Sequence, residues 1–388
     1  MTETGRPRRR RRRLAAAGAV VLAWTALTGP VAADERTDRS RERTLAVLRA
    51  DLDRAGDRRL GALVQVRDGR SQWSAAVGDG DRRAGRQPRH PGERFRIGSI
   101  TKTFVATVLL QLQGEGRIDL DDPVERWLPG LVHGNGNDGS RITLRHLLNH
   151  TSGLYGYDRD PVLASQLFTE AFLTHRFTTH TPTELVRTAL AHPPHFAPGT
   201  GRRYSNTNYV LASLVIERVT GRTYATEIRR RIIEPLQLRS TSLPGTRTRI
   251  PGPHARGHSR FFGADPGVPL HDVTELNPSS AGAAGEMISS LTDLTRFSRA
   301  LLGGRLLPRA ELAQMLTPTS AALGPVGGLG MSPSRLSCEV TVWGHDGGIH
   351  GWSSLLVSTR DGRTSAAFTY NADSTGSFRA LAESVFCP

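Results

Sequence analysis

Lysine is nearly missing from this chain. Of its 51 basic residues, 50 are Arg and one, Lys102, is Lys. Arg keeps its charge under ordinary conditions, whereas a buried Lys can lose its proton and act as a base. A lone Lys in an Arg-saturated chain therefore points to a task that Arg cannot perform. Cysteine is almost as scarce, with Cys338 and Cys387 only. Two cysteines exclude a disulfide-dense scaffold and a cysteine-rich zinc cluster. Aromatic residues make up 6% of the chain, too few for a surface that stacks nucleic-acid bases. The apolar run from Leu14 to Leu27 is too short to span a bilayer comfortably.

The N-terminus reads as a targeting segment. Arg8 to Arg13 form a basic region, the apolar run follows, and Val31-Ala32-Ala33 offers a small-residue cleavage site. A signal peptide over residues 1–33 is expected, by the general or the twin-arginine route, with a mature chain from about Asp34. Export implies a secreted, extracellular protein, in which Cys338 and Cys387 are expected to pair. Removing the segment lowers the formal net charge from +15 to +9. The remaining Arg residues read as a solvated surface, not a nucleic-acid groove. The chain has 388 residues, 37% of them hydrophobic and 22% charged, which suits a folded domain.

Helix signals cover Asp34 to Arg59, and strand signals cover Ala62 to Val66 and Gln72 to Val77. Ser99 to Gln113 read as a buried helix. A mainly helical block follows to about Glu234, with Thr143, Thr183 and Thr223 as N-caps. After a loop-rich stretch from Pro244 to Ser280, Ser290 caps a helix. Strands return over Val340–Trp343, Trp352–Ser358 and Thr364–Tyr370, and a helix over Gly376–Phe386 closes the chain. The expected fold is α+β: an antiparallel sheet covered by N- and C-terminal helices, with a helical subdomain beside it. One domain is expected over 34–388, with sheet parts at about 40–98 and 290–387 and the helical part at about 99–289.

Three segments carry chemistry. Ser99 and Lys102 lie three apart at a helix start, so hydroxyl and amine share a face. Burial and the positive helix end both favour a neutral amine, which can take the Ser proton. Tyr204-Ser205-Asn206 open another apolar helix. A Tyr hydroxyl can pass protons, and an Asn amide can hold a substrate amide. Trp343-Gly344-His345-Asp346-Gly347-Gly348 end a strand, where glycines let a ligand approach the backbone.

Ser-x-x-Lys, then Tyr-x-Asn, then His-x-Gly on a late strand resembles the serine DD-peptidase and class C β-lactamase superfamily. Phe95–Lys102, Leu147–Leu154, Pro198-Gly199, Tyr204–Asn208 and Leu336–Cys338 are similar to secreted Streptomyces-type D-alanyl-D-alanine carboxypeptidases. The resemblance spans about 40–387. It implies Ser99 as acylated nucleophile, with Lys102 and Tyr204 handling its proton and either one as the base. It implies Asn206, His345, Asp346, Gly347 and Gly348 as substrate contacts, with the N–H groups of Ser99 and Gly348 as an oxyanion hole. The implied substrate is a peptide ending in D-amino acids, or a β-lactam.

The departures fall at substrate recognition. Relatives place Thr-type hydroxyls where Asp346 and Gly348 stand, and their helping Arg has no counterpart in Met331 to Ser334. Arg335 is displaced. Asp346 disfavours an anionic carboxylate unless it points away from the site. Carboxypeptidase is thus the leading expectation, beside an esterase or β-lactamase on the same scaffold and a non-catalytic penicillin-binding sensor. His146/His150 and His254/His258 are spaced as pairs without a third ligand, so neither metal nor cofactor is expected. A monomer is expected.

Overall fold

The computed structural model describes residues 32–388 except 58, 79–89, 264, 266, 325–326 and 374–375. The signal peptide expected over 1–33 lies, but for its last two residues, outside the described residues. No helix among the described residues is long and apolar enough to cross a membrane.

Six strands form one antiparallel sheet: β1 (Gly61–Asp68), β2 (Ser71–Gly78), β3 (Ser332–Arg335), β4 (Thr341–Ile349), β5 (Trp352–Thr359) and β6 (Thr364–Tyr370). Their order is β2-β1-β6-β5-β4-β3. Strands from both ends of the chain thus meet where β1 pairs with β6, Ala62 opposite Tyr370. Side chains alternate between the two faces, and in the central strands both faces are buried. Ala62, Val64, Val66, Phe368 and Tyr370 join one core with Leu48 of α1 (Ala32–Ala55) and Leu381 and Phe386 of the last helix (Phe378–Phe386). Leu63, Leu356 and Ala367 face the other way, into a larger core with α2 (Thr101–Gly114), α3 (Thr207–Thr220) and α4 (Leu291–Leu302). The terminal helices cover one face as expected, and the architecture is α+β.

Local differences have physical causes. Thr181, not Thr183, caps the helix Pro182–Leu190: Pro182 suits the first helical turn, and Thr181 and Glu184 form a reciprocal capping box. Ser290 caps α4 as expected, its Oγ accepting the Asp293 N–H, while the Asp293 carboxylate accepts from Ser240 N–H and Thr241 Oγ–H. Ser332–Arg335, where no strand was expected, pairs as an edge strand, a place that tolerates the N–H that Pro333 lacks.

Cys338 and Cys387 are bonded, tying the β3–β4 turn to the end of the last helix across 49 residues of sequence. Replacing both with Ser should lower the unfolding free energy by about 2–4 kcal/mol, since the bridge limits the unfolded chain. Urea denaturation measures this, and a loss below ~1 kcal/mol would contradict it.

Candidate active site

The site forms where α2 begins, where the loop before α3 passes, and where β4 runs alongside. Ser99 sits in a 3₁₀ turn, Gly98–Ile100, that leads into α2. Gly98 has φ +50°, and a Cβ there would lie 2.7 Å from the Gly348 carbonyl oxygen. Only glycine lets the Ser99 turn touch β4 so closely. A Cβ on Gly347 would likewise strike the Ile97 carbonyl. These two glycines set the distance between the serine turn and the strand.

Lys102 is fully buried in the first turn of α2, whose other buried residues are mostly apolar. Its Nζ lies 2.9 Å from Ser99 Oγ and 2.6 Å from the Ala284 carbonyl. Among the described residues no carboxylate pairs with it. Desolvation therefore dominates and pulls its pKa from the usual 10.5 down to about 7, against the weaker pull of Asp158 and Asp346. The Tyr204 hydroxyl donates to Ser99 Oγ at 2.8 Å. Burial pushes the Tyr204 pKa well above 10, helped by Asp346 and Asp158 and opposed by the Ser99 bond. Ser99 Oγ thus lies within hydrogen-bond reach of a readily deprotonated amine and of a phenol that stays protonated. The Lys102 amine also sits 4.8 Å from the centre of the Tyr204 ring.

His150 supports this arrangement from below. Its ring packs 4.3 Å from that of Tyr204, and Nδ1 accepts the Ser205 N–H at 3.3 Å. Burial, and next the Lys102 charge, keep its pKa well below 6.5, so it is a neutral spacer. His146 serves the cap of its own helix through Nδ1. Among the described residues no group of three or more His, Cys, Asp or Glu is placed to hold a metal ion.

Of the other expected contacts, His345 and Asp346 line one cavity with Tyr204, while Gly347 and Gly348 pack against Ile97 and Gly98. Asn206 is partly exposed, and its side chain makes no cap bond to α3, which leaves its amide available. The segment from Gly344 to Gly348 lies inside β4, paired with β5, not at a strand end. His345 is largely buried; its Nδ1–H donates to the Asp346 carbonyl at 2.5 Å, and burial lowers its pKa. The Asp346 side chain is 67% exposed. It does not point away from the site: with His345, Tyr204, His150, Arg202 and Met331 it lines a cavity of about 170 Å³. Two larger open clefts, about 580 and 470 Å³, hold no Ser–Lys pair.

Asp158 and Arg202 are site neighbours that sequence reasoning missed. Asp158 is near enough to act by charge on Lys102 and Tyr204. Arg202 lines the cavity, with Nε bonded to the Asn149 carbonyl at 3.1 Å. Arg335 instead pairs with Glu339 on the sheet edge. Arg202 lies two residues before Tyr204, a signal that was present in the sequence. Asp158 carries no comparable signal.

Comparison with known proteins gives these features a context. A D-stereospecific amidohydrolase from Streptomyces sp. is 51% identical, with a TM-score of 0.83 over 89% of this chain and 98% of that one. The D-amino acid amidase from Ochrobactrum anthropi SV3, solved with L-phenylalanine amide, is 28% identical, with a TM-score of 0.73 over 89% and 96%. Penicillin-binding protein 4* of Bacillus subtilis is 26% identical over 305 residues, 74% of this chain; the chain spans 63% of that relative's length. The Beta-lactamase family profile matches residues 47–386, most of the sequence, and the chain belongs to the beta-lactamase family of serine hydrolases.

Proposed function

We propose that this chain is an exported D-stereospecific amidohydrolase that cleaves the amide bond following a D-amino acyl residue. The observation that carries the reading is the 51% identity, over nearly nine-tenths of the chain, to a D-stereospecific amidohydrolase that joins a built Ser99–Lys102–Tyr204 cluster. Charge supports it. Asp346 and Asp158 add carboxylates near the reacting groups, which favours a substrate's α-ammonium over a free α-carboxylate. The basic segment and apolar run at the N-terminus support export.

In this reading neutral Lys102 takes the proton of Ser99 as Oγ attacks the substrate carbonyl. The N–H groups of Ser99 and Gly348 receive the oxyanion. Lys102 returns the proton through Tyr204 to the leaving amine, and Asn206 holds the amide on the acyl side. Water then attacks the acyl-enzyme by the same route reversed. Resting protonation favours Lys102 as the base, because the Tyr204 phenol stays protonated.

A second reading is a D-alanyl-D-alanine carboxypeptidase. Arg202 favours it, since a guanidinium lining the cavity can meet a terminal carboxylate. The penicillin-binding relative also supports it.

D-Phe amide, L-Phe amide and diacetyl-Lys-D-Ala-D-Ala separate these readings. An amidohydrolase should cleave D-Phe amide at least 100-fold faster than its L form, as kcat/KM. Release of D-Ala from the peptide without D-Phe amide cleavage would hand the assignment to the carboxypeptidase. Ser99→Ala should abolish turnover of whichever substrate is cleaved, and retained turnover would remove Ser99 from its role. Lys102→Arg keeps the charge and loses the base, so kcat/KM should fall by ~10²–10⁴-fold. In the wild type kcat/KM should rise with pH through about 7 as Lys102 loses its proton. A flat profile from pH 5.5 to 8 would contradict that assignment.

A further inference from the structure

The loop before α4 brings one aromatic ring to the edge of the proposed oxyanion site. Phe262 Cε1 would lie 3.4 Å from a Cβ placed on Gly348. Its ring packs edge-on against Phe168, 5.5 Å away, and against His350, 5.0 Å away. Phe168 is 38% exposed, so the aromatic cluster opens to solvent beside the site. Its base is firm. His350 stacks on Phe172 at 3.6 Å and donates Nε2–H to the Leu167 carbonyl.

The backbone that presents this ring is unusual. Phe261 and Phe262 have φ of +56° and +65°. Bulky residues seldom adopt left-handed backbone, and consecutive ones persist only where the surroundings hold them. One buried carboxylate does the holding. Asp373 follows β6 and is 5% exposed. It accepts the Ser259 Oγ–H, the Arg260 N–H at 3.3 Å, and the N–H groups of Phe262 and Gly351. Ser259 Oγ in turn accepts the Phe261 N–H at 2.8 Å. A single side chain thus ties the end of β6, the β4–β5 turn and the aromatic loop together. Burial pushes the Asp373 pKa up to about 6, still low enough to leave it ionised at neutral pH and accepting from all four donors.

We infer that Asp373 is a positioning residue for specificity: it clamps residues 259–262 to the sheet so that Phe262 forms a fixed wall of the acyl side-chain subsite, giving a preference for acyl groups with an aryl side chain. The inference rests on the reading above in one respect, that the Gly348 N–H faces the substrate carbonyl. Asp373 itself stands outside the hydrogen bonds of Ser99, Lys102 and Tyr204.

Two substrate pairs test it: p-nitrophenyl phenylacetate against p-nitrophenyl acetate, and D-Phe amide against D-Ala amide. The wild type should favour the aryl member at least tenfold in kcat/KM. Asp373→Asn keeps the size but turns one acceptor into a donor. It should cut that ratio at least fivefold, chiefly through KM for the aryl substrate. Ser259→Ala should shift the ratio the same way by less. Phe262→Ala should lower it as far as Asp373→Asn, and combining the two should lower it no further. Where Asp373→Asn does not fold, the Ser259→Ala and Phe262→Ala variants decide. An equal fall of both pair members in Asp373→Asn, or a wild type with no aryl preference, would overturn the proposal. An ester preference lost in Asp373→Asn, with neither D-amide cleaved, would keep the clamp and remove the amidase reading.

Discussion

Lys102 holds an amine that no carboxylate pairs with among the described residues. The helix around it is apolar, the Ala284 carbonyl and Ser99 Oγ are its hydrogen-bond neighbours, and the Asp158 and Asp346 carboxylates act only from a distance. Desolvation of an unpaired ammonium is costly, and the chain answers by making the neutral form accessible near pH 7. Between about 7 and 10.5 the unfolded chain holds a proton that the folded one can lack. This group's contribution to stability therefore rises with pH across that window and is lowest below it. The site spends part of its folding free energy on a base.

Much of the surrounding structure reads as a means of keeping that amine dry yet aimed. Tyr204 and Tyr209 place ring faces 4.8 and 5.6 Å from Nζ, which shields it without removing its proton. His150, held neutral, fills the space beneath Tyr204. The close contact between Gly98 and Gly348 brings the strand to the serine turn, the approach that the proposed oxyanion hole requires. The sheet supplies rigidity, because β4 is paired on both sides over its first half and with β5 to its end.

The hairpins, the buried α2 helix and the covering terminal helices were legible because they follow from period and turn chemistry. Trp352 to Ser358 and Thr364 to Tyr370 announce their strands by β-branched and apolar content around Asp361-Gly362. That the strand continues through Gly344 to Gly348 was not legible, since its pairing depends on β5 and not on its own propensity. In the site, Ser99, Lys102, Tyr204 and Asn206 were readable from spacing and motif. Arg202 had a signal in its closeness to Tyr204, whereas Asp158 and Asp373 had none, because no local periodicity encodes the paths that bring them to their places. The orientation of Asp346 likewise follows from tertiary structure, which sets it in the cavity wall beside Tyr204 and His345.

The composition that first drew attention to Lys102 also makes it directly observable. With one Lys in the whole chain, ¹³C-labelled lysine gives a single side-chain Cε resonance, and its chemical shift follows the Nζ proton through a pH titration. The account predicts a midpoint near 7 in the folded protein. A midpoint near the ordinary 10.5 would mean that Lys102 is a charged neighbour of Ser99 and not its base, and would contradict the central claim.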